Sequence, residues 1–88
     1  MKTVYKYNLL MTQRQNITMP LGYQLLNIEV QNGIPRIWAK VDTDQPDTEV
    51  ELATYGTGEK IEESDNLRYI GTFQINGLVA HVFEVEKQ

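Results

Sequence analysis

The chain has 88 residues, a mass of 10.2 kDa and no cysteine, so it can form one small domain without disulfides or a cysteine-ligated zinc site. Hydrophobic residues make up 41% and charged residues 23%, which fits a folded globular chain and argues against disorder. The net charge of −4 argues against binding to duplex nucleic acid, which needs a basic face, but allows a small anion held by a few basic side chains.

The composition favours strands over helices. Val, Ile and Thr together account for 22 residues, whereas Ala occurs only three times. We therefore predict an all-β single domain over residues 1–88, built from β-hairpins as a small antiparallel sheet, a sandwich or a partly open barrel. Residues 3–10 and 14–19 are predicted to be an opening pair of strands joined by a short turn.

The dipeptide Asn32-Gly33 predicts the first hairpin, because Asn-Gly between alternating apolar runs favours a two-residue turn with positive φ. The resulting register pairs Ile28 with Ile37 and continues to a pair of Leu26 with Ala39. It gives one apolar face and one polar face and sets Glu29 opposite Arg36. In this register the apolar residues share one face of the hairpin and the polar residues share the other.

The middle of the chain contains a polar loop, a strand and a glycine-rich turn. Residues 42–47 are predicted to be the loop, and residues 49–55 alternate as a half-buried strand. The segment Gly56-Thr57-Gly58-Glu59-Lys60 then frees the backbone to point N–H groups at an anion, although it also fits a simple strand-end turn. Residues 59–66 are predicted to be a loop or one short helical turn.

The dipeptide Asn76-Gly77 predicts a second hairpin, in which Thr72 pairs with His81 and Ile70 with Phe83. Both faces of this hairpin are substantially apolar, so we expect each to be covered. In so short a chain the second cover is expected to come from another copy, which predicts a homo-oligomer.

The residues offer little for catalysis. His81 is the only histidine and Ser64 the only serine, so neither a zinc site of the usual composition nor a Ser-His-acid triad is expected. His81 is interpreted either as a hydrogen-bonded sheet residue or as a ligand contact. The carboxylates of residues 42–51 lack the spacing of a calcium loop. We therefore predict no enzyme, no metal and no cofactor.

Trp38 is the most informative aromatic residue, because the first hairpin's register turns it away from the core together with Arg36 and Lys40. A tryptophan flanked by cations can stack a nucleobase while arginine binds a phosphate. It can equally anchor a protein interface, or be covered by the N-terminal strands. The predicted ligand-binding residues are Arg36, Trp38, Gly56, Thr57, Gly58, Lys60 and His81.

Five sequence blocks together resemble a family of small phage and prophage proteins that is catalogued as a domain of unknown function. The blocks are Arg14-Gln15-Asn16-Ile17-Thr18-Met19-Pro20, Val30-Gln31-Asn32-Gly33-Ile34-Pro35-Arg36-Ile37-Trp38-Ala39, Tyr55-Gly56-Thr57-Gly58, Tyr69-Ile70-Gly71-Thr72-Phe73-Gln74 and His81-Val82-Phe83-Glu84. The resemblance implies a viral or prophage origin and assigns no catalytic residue. By analogy of size and origin, it suggests an accessory inhibitor of host defence.

Three classes of function remain open at the level of sequence. The first is a non-enzymatic binder that sequesters a small anionic, nucleotide-derived signal in the host cytoplasm. The second is a protein-binding inhibitor or adaptor that presents an acidic surface over residues 42–51 to a host defence protein. The third is a minor structural phage protein. No apolar run approaches the roughly 18 residues that span a bilayer, so no membrane partner is expected.

Overall fold

The computed structural model describes residues 1–62 and 66–86, and within them the chain forms seven strands and no helix. The strands are β1 (Lys2–Asn8), β2 (Arg14–Pro20), β3 (Gln24–Gln31), β4 (Ile34–Asp42), β5 (Asp47–Gly56), β6 (Leu67–Ile75) and β7 (Leu78–Val85). The prediction of an all-β chain is confirmed. Residues 59–62 and 66 form no helical turn, and residues 63–65 lie outside the described residues. No helix capable of crossing a membrane occurs in these ranges.

The strands form two antiparallel sheets that pack against each other as a sandwich. One sheet has three strands in the order β1-β4-β3, and the other has four in the order β2-β5-β7-β6. The strands predicted to open the fold as a pair do form, but their mutual pairing is wrong: β1 pairs with β4 and β2 with β5. The two sheets do not close into a barrel, so the sandwich alternative is the correct one.

Both Asn-Gly turns adopt the conformation that the sequence predicts. Asn32 and Gly33 have φ values of 54° and 77°, and Asn76 and Gly77 have values of 50° and 81°. Positive φ at both central residues matches the right-handed twist of the flanking strands. These turns therefore fix the pairing of β3 with β4 and of β6 with β7.

The first hairpin keeps its predicted register from the turn to the pair of Asn27 with Trp38. The predicted pair of Leu26 with Ala39 is wrong, because a β-bulge intervenes and Leu25 pairs with Ala39 instead. Leu26 is the extra residue, and its side chain is 45% exposed. A bulge shifts the alternation by one residue and bends the strand, which no local turn signal announces.

The second hairpin shows the same irregularity. Its predicted register holds from the turn to the pair of Gly71 with Val82. The predicted pair of Ile70 with Phe83 is wrong, because Ile70 is passed over at a bulge and Tyr69 pairs with Phe83. The bulge turns the Tyr69 ring to the outer face of the sheet, where it contacts the Phe83 ring edge-on at 5.7 Å.

The core lies between the two sheets and draws buried side chains from both. Its buried members are Leu9, Met19, Ile28, Ile37, Ala39, Val41, Val50, Leu52, Phe73, Ala80 and Val82. Alternation along β4 therefore divides its residues strictly, with odd-numbered side chains inside and even-numbered ones outside.

The sheets approach most closely where β3 lies against β6. At this seam a Cβ added to Gly71 would lie 3.4 Å from the Cβ of Ile28, so a larger side chain would push the strands apart. Each of the two strands carries its bulge close to this contact. The bulges and the missing side chain together let the two sheets fold onto each other.

We predict that Ile28→Ala and Ile37→Ala each lower the free energy of unfolding by about 2–5 kcal/mol, because both side chains are buried in the core. The matched surface variant Glu29→Ala changes the residue next to Ile28, opposite Arg36, and should cost less than about 1 kcal/mol. Denaturant unfolding measures all three. The opposite ranking would contradict the register of the first hairpin.

Candidate functional site

The outer surface of the three-stranded sheet has Trp38 at its centre. Trp38 alternates with the buried Ile37 and Ala39 on the middle strand β4, and its own side chain is half-buried. We call this surface the Trp38 face. It is formed by Lys2, Val4, Lys6, Asn8, Gln24, Asn27, Glu29, Gln31, Arg36, Trp38, Lys40 and Asp42.

Basic side chains surround Trp38 on this face. Lys6 lies directly opposite Trp38 on β1, and Arg36 and Lys40 lie two residues away on either side along β4. Lys2 follows at the far end of β1. Among the described residues, the face thus carries four of the seven lysines and arginines and two of the ten carboxylates.

Only some of the hydrogen-bond donors of the Arg36 guanidinium have an acceptor. Its Nη1 donates a hydrogen bond of 2.9 Å to Asn8 Oδ1, although Glu29 lies opposite Arg36 as the register predicts. Its Nε is buried without an acceptor. A buried donor without a partner is costly, so an anion that drew the guanidinium outward would relieve this cost.

The remaining cations of the Trp38 face are accessible. Lys6 Nζ donates to Gln31 Oε1 at 2.9 Å, which is a neutral and replaceable partner. Lys40 is exposed and has no hydrogen-bond or ion-pair partner among the described residues. The nearby carboxylate of Asp42 is engaged by the amino group of Met1 at 3.2 Å. The basic side chains of the face outnumber its carboxylates, of which Glu29 lies opposite Arg36 and Asp42 opposite Lys2.

The predicted anion-binding turn, Gly56 to Gly58, lies at the end of β5 in the four-stranded sheet. The Gly56 N–H donates to Glu59 Oε1 at 2.7 Å, and the Thr57 N–H points to the carbonyl of Val79 at 3.4 Å. A Cβ on Gly56 would lie 2.8 Å from that Glu59 oxygen, so a larger residue would displace the Glu59 carboxylate from its hydrogen bond. The turn does bind an anion, but the anion is a carboxylate of the same chain.

His81 uses both of its ring nitrogens within the chain. Nε2 lies 2.8 Å from Thr57 Oγ1, and Nδ1 lies 3.0 Å from Thr72 Oγ1. The Thr72 hydroxyl in turn lies 2.6 Å from the Tyr69 hydroxyl. These four side chains form a continuous hydrogen-bond chain on the outer face of the four-stranded sheet, which accounts for His81 without a ligand.

The structure separates the predicted site residues into two groups. Arg36 and Trp38 lie on the Trp38 face, whereas Gly56, Thr57, Gly58, Lys60 and His81 belong to the four-stranded sheet or to the segment after β5. The core lies between the outer faces of the two sheets. One small ligand therefore cannot contact both groups of the same chain.

A buried carboxylate network was missed by the sequence analysis. Glu84 is only 7% exposed, and it accepts hydrogen bonds from the hydroxyl of Tyr23 and from Nη2 of Arg68. The available signal was the alternation of β7, which turns Glu84 inward with Ala80 and Val82. Because Tyr23 immediately precedes β3, its hydrogen bond ties the two sheets together.

This network borders an acidic cleft of about 500 Å³. Its polar lining consists mainly of Glu49, Glu51, Glu84, Glu86, Tyr23 and Arg68. Within the described part of the chain, no group of three or more His, Asp or Glu side chains has a geometry that could hold a metal ion.

The Tyr23 phenol makes stability sensitive to alkaline pH. Burial, and then the hydrogen bond to Glu84, raise the pKa of Tyr23 from 10.0 to about 12. A pKa that is higher in the folded state gives stability that is complete below the unfolded value and lost as pH rises through the folded value.

We predict that Tyr23→Phe lowers the free energy of unfolding by about 1–3 kcal/mol at pH 8, because a hydrogen bond to a charged group is lost. The difference from the wild-type protein should shrink between pH 10 and pH 12. Denaturant unfolding over this range measures the difference. A difference that stays constant to the highest pH would contradict the role of the phenol.

Comparison with known proteins finds one relationship. A family model described as a domain of unknown function, DUF7352, matches residues 1–88. No curated protein and no solved structure matches the chain.

Proposed function

The chain belongs to the DUF7352 family of unknown function, and we propose that it is a non-enzymatic protein that binds a small anionic, nucleotide-like ligand on the Trp38 face. The observation that carries this proposal is the basic surround of the single tryptophan in an acidic chain. Four of the seven lysines and arginines that the structure describes lie on this one face, whereas eight of the ten described carboxylates lie elsewhere. A locally positive surface attracts an anion even where the net charge does not.

The chemistry of the face suits a ligand that is both planar and charged. The indole of Trp38 offers a stacking surface, and stacking of one base on an aromatic side chain contributes about 1–3 kcal/mol. Arg36 can donate two parallel hydrogen bonds to a phosphate, and Lys6 and Lys40 add point charges on two further sides.

The biological role that we attach to this binding is sequestration of a nucleotide-derived signal of host defence. The likeness of the sequence to small phage and prophage proteins supports this role, which places the protein in the cytoplasm of an infected cell. A protein that only captures a ligand needs no nucleophile or metal. The surroundings of Trp38 and His81 accordingly contain a stacking platform and a satisfied histidine rather than a reactive group.

A second candidate function is favoured by the acidic cleft. Glu49, Glu51, Glu84 and Glu86 line it, and the first two belong to the segment 42–51 that was expected from sequence to present an acidic surface. A protein-binding inhibitor could insert basic side chains of a host partner into this cleft. Purification from infected, defence-bearing cells separates the candidates, since a co-purifying metabolite supports the first and a co-purifying host protein the second.

We predict that Trp38→Ala and Arg36→Ala each lower ligand affinity by roughly tenfold to more than a hundredfold, because each removes one stacking or charged contact. A screen of nucleotides and cyclic nucleotides by native mass spectrometry and thermal shift identifies the ligand. Calorimetry then measures the variants. Both side chains point away from the core, so both variants should remain folded.

Two variants of the four-stranded sheet serve as matched controls. Lys60→Ala removes an exposed cation, and Thr57→Ala removes a hydroxyl that contacts His81. Neither should change the affinity if the ligand lies on the Trp38 face. Unchanged affinity in both Trp38→Ala and Arg36→Ala would remove this face from the site and redirect attention to His81.

We also propose that the protein is a homo-oligomer whose interface includes the Asn76-Gly77 hairpin. Tyr69 and Leu78 of this hairpin are 57% and 45% exposed, which leaves apolar surface for a second copy to cover. Sedimentation should give more than one chain per particle. A monomer at high micromolar concentration would contradict this proposal.

A further inference from the structure

Positively charged side chains lie on two sides of Trp38. Arg36 and Lys40 lie on opposite sides of it along β4, each roughly 6.6 Å away at the strand rise of about 3.3 Å per residue. Lys6 lies between them on the neighbouring strand. A ligand with a single terminal phosphate can engage only one side of this arrangement.

The other flank of the Trp38 face has different chemistry. Across β4 from Lys6, strand β3 places Asn27 directly beside Trp38 and Glu29 beside Arg36. An amide can hydrogen-bond the edge of a nucleobase, whereas a carboxylate repels phosphate. Asn27 therefore offers a hydrogen bond to the edge of a base on the β3 side, and Glu29 disfavours a phosphate beside it, although the ammonium of Lys6 reaches across β4 to Gln31 of β3.

From this geometry we propose that the ligand is an oligonucleotide unit, with one base stacked on Trp38 and a phosphate on each side of that base. The phosphate on one side binds Arg36, and the phosphate on the other side binds Lys40, which has no partner among the described residues. The Cα atoms of Arg36 and Lys40 are roughly 13 Å apart by the strand rise. Their long side chains can converge on two phosphates that flank a single nucleoside.

This inference rests on the proposed function and specifies the class of nucleotide that the Trp38 face binds. A nucleoside 5′-monophosphate can stack on Trp38 and bind one of the two cations, Arg36 or Lys40. A nucleoside 3′,5′-bisphosphate can stack on Trp38 and bind both cations. Linear and cyclic oligonucleotides share the bisphosphate unit, so both sources present the same chemistry to the face.

The test compares adenosine 5′-monophosphate with adenosine 3′,5′-bisphosphate by calorimetry, together with the matching guanosine pair. The bisphosphate of at least one pair should bind ten times more tightly or better. Lys40→Ala should remove most of that advantage, because it should lower affinity for the bisphosphate much more than affinity for the monophosphate. The slope of log affinity against log salt for the bisphosphate should also become shallower by about one unit in this variant.

Control variants and longer ligands complete the test. Lys60→Ala removes an exposed lysine away from the Trp38 face and should preserve the advantage of the bisphosphate.

A 5′-phosphorylated linear triadenylate and a cyclic diadenylate distinguish a strand from a ring as the source, and tight Trp38-dependent binding of either supports the proposal. If the monophosphate and the bisphosphate bind with equal affinity and both depend on Trp38, this inference is overturned but the proposed function is not. Absence of Trp38-dependent binding by any nucleotide would overturn the proposed function as well.

Discussion

The close contact between β3 and β6 is the constraint on which the rest of the sandwich depends. Gly71 of β6 lies against Ile28, where an added Cβ would make van der Waals contact at 3.4 Å, and a bulge on each strand supplies the bend. The buried hydrogen bond from Tyr23 to Glu84 fastens the same edge, because it joins the start of β3 to β7. Once the sheets are held together at this seam, the alternation along each strand decides which side chains enter the core and which face outward.

The outer faces of the two sheets consequently have separate chemistry. The three-stranded sheet gathers cations around one indole, whereas the four-stranded sheet carries a linear chain of hydrogen bonds through His81 and three hydroxyl groups. Since a strand alternates its side chains, the residues that build the core also set the spacing of the residues outside. A binding surface of this kind needs no additional loop, because its geometry follows from the register of β4.

Local sequence signals predicted those parts of the fold that local chemistry controls. Both Asn-Gly turns, the all-β class and the outward position of Trp38 follow from short-range rules. The partners of β1 and β2 were mispredicted, because antiparallel strands adjacent in sequence need not be adjacent in a sheet. The bulges at Leu26 and Ile70 were missed because they depend on packing between the sheets. Glu84 was missed because its partners are distant in sequence.

The position of β1 at an open edge of its sheet gives its lysines a further role. Edge strands expose unpaired backbone groups that can recruit another strand, and lysine on such an edge discourages this pairing. Lys2 and Lys6 of this edge strand therefore disfavour uncontrolled strand addition and also supply positive charge to the Trp38 face. Under the proposed function, a substitution of either lysine would alter both the protection of this edge and the charge available to an anion.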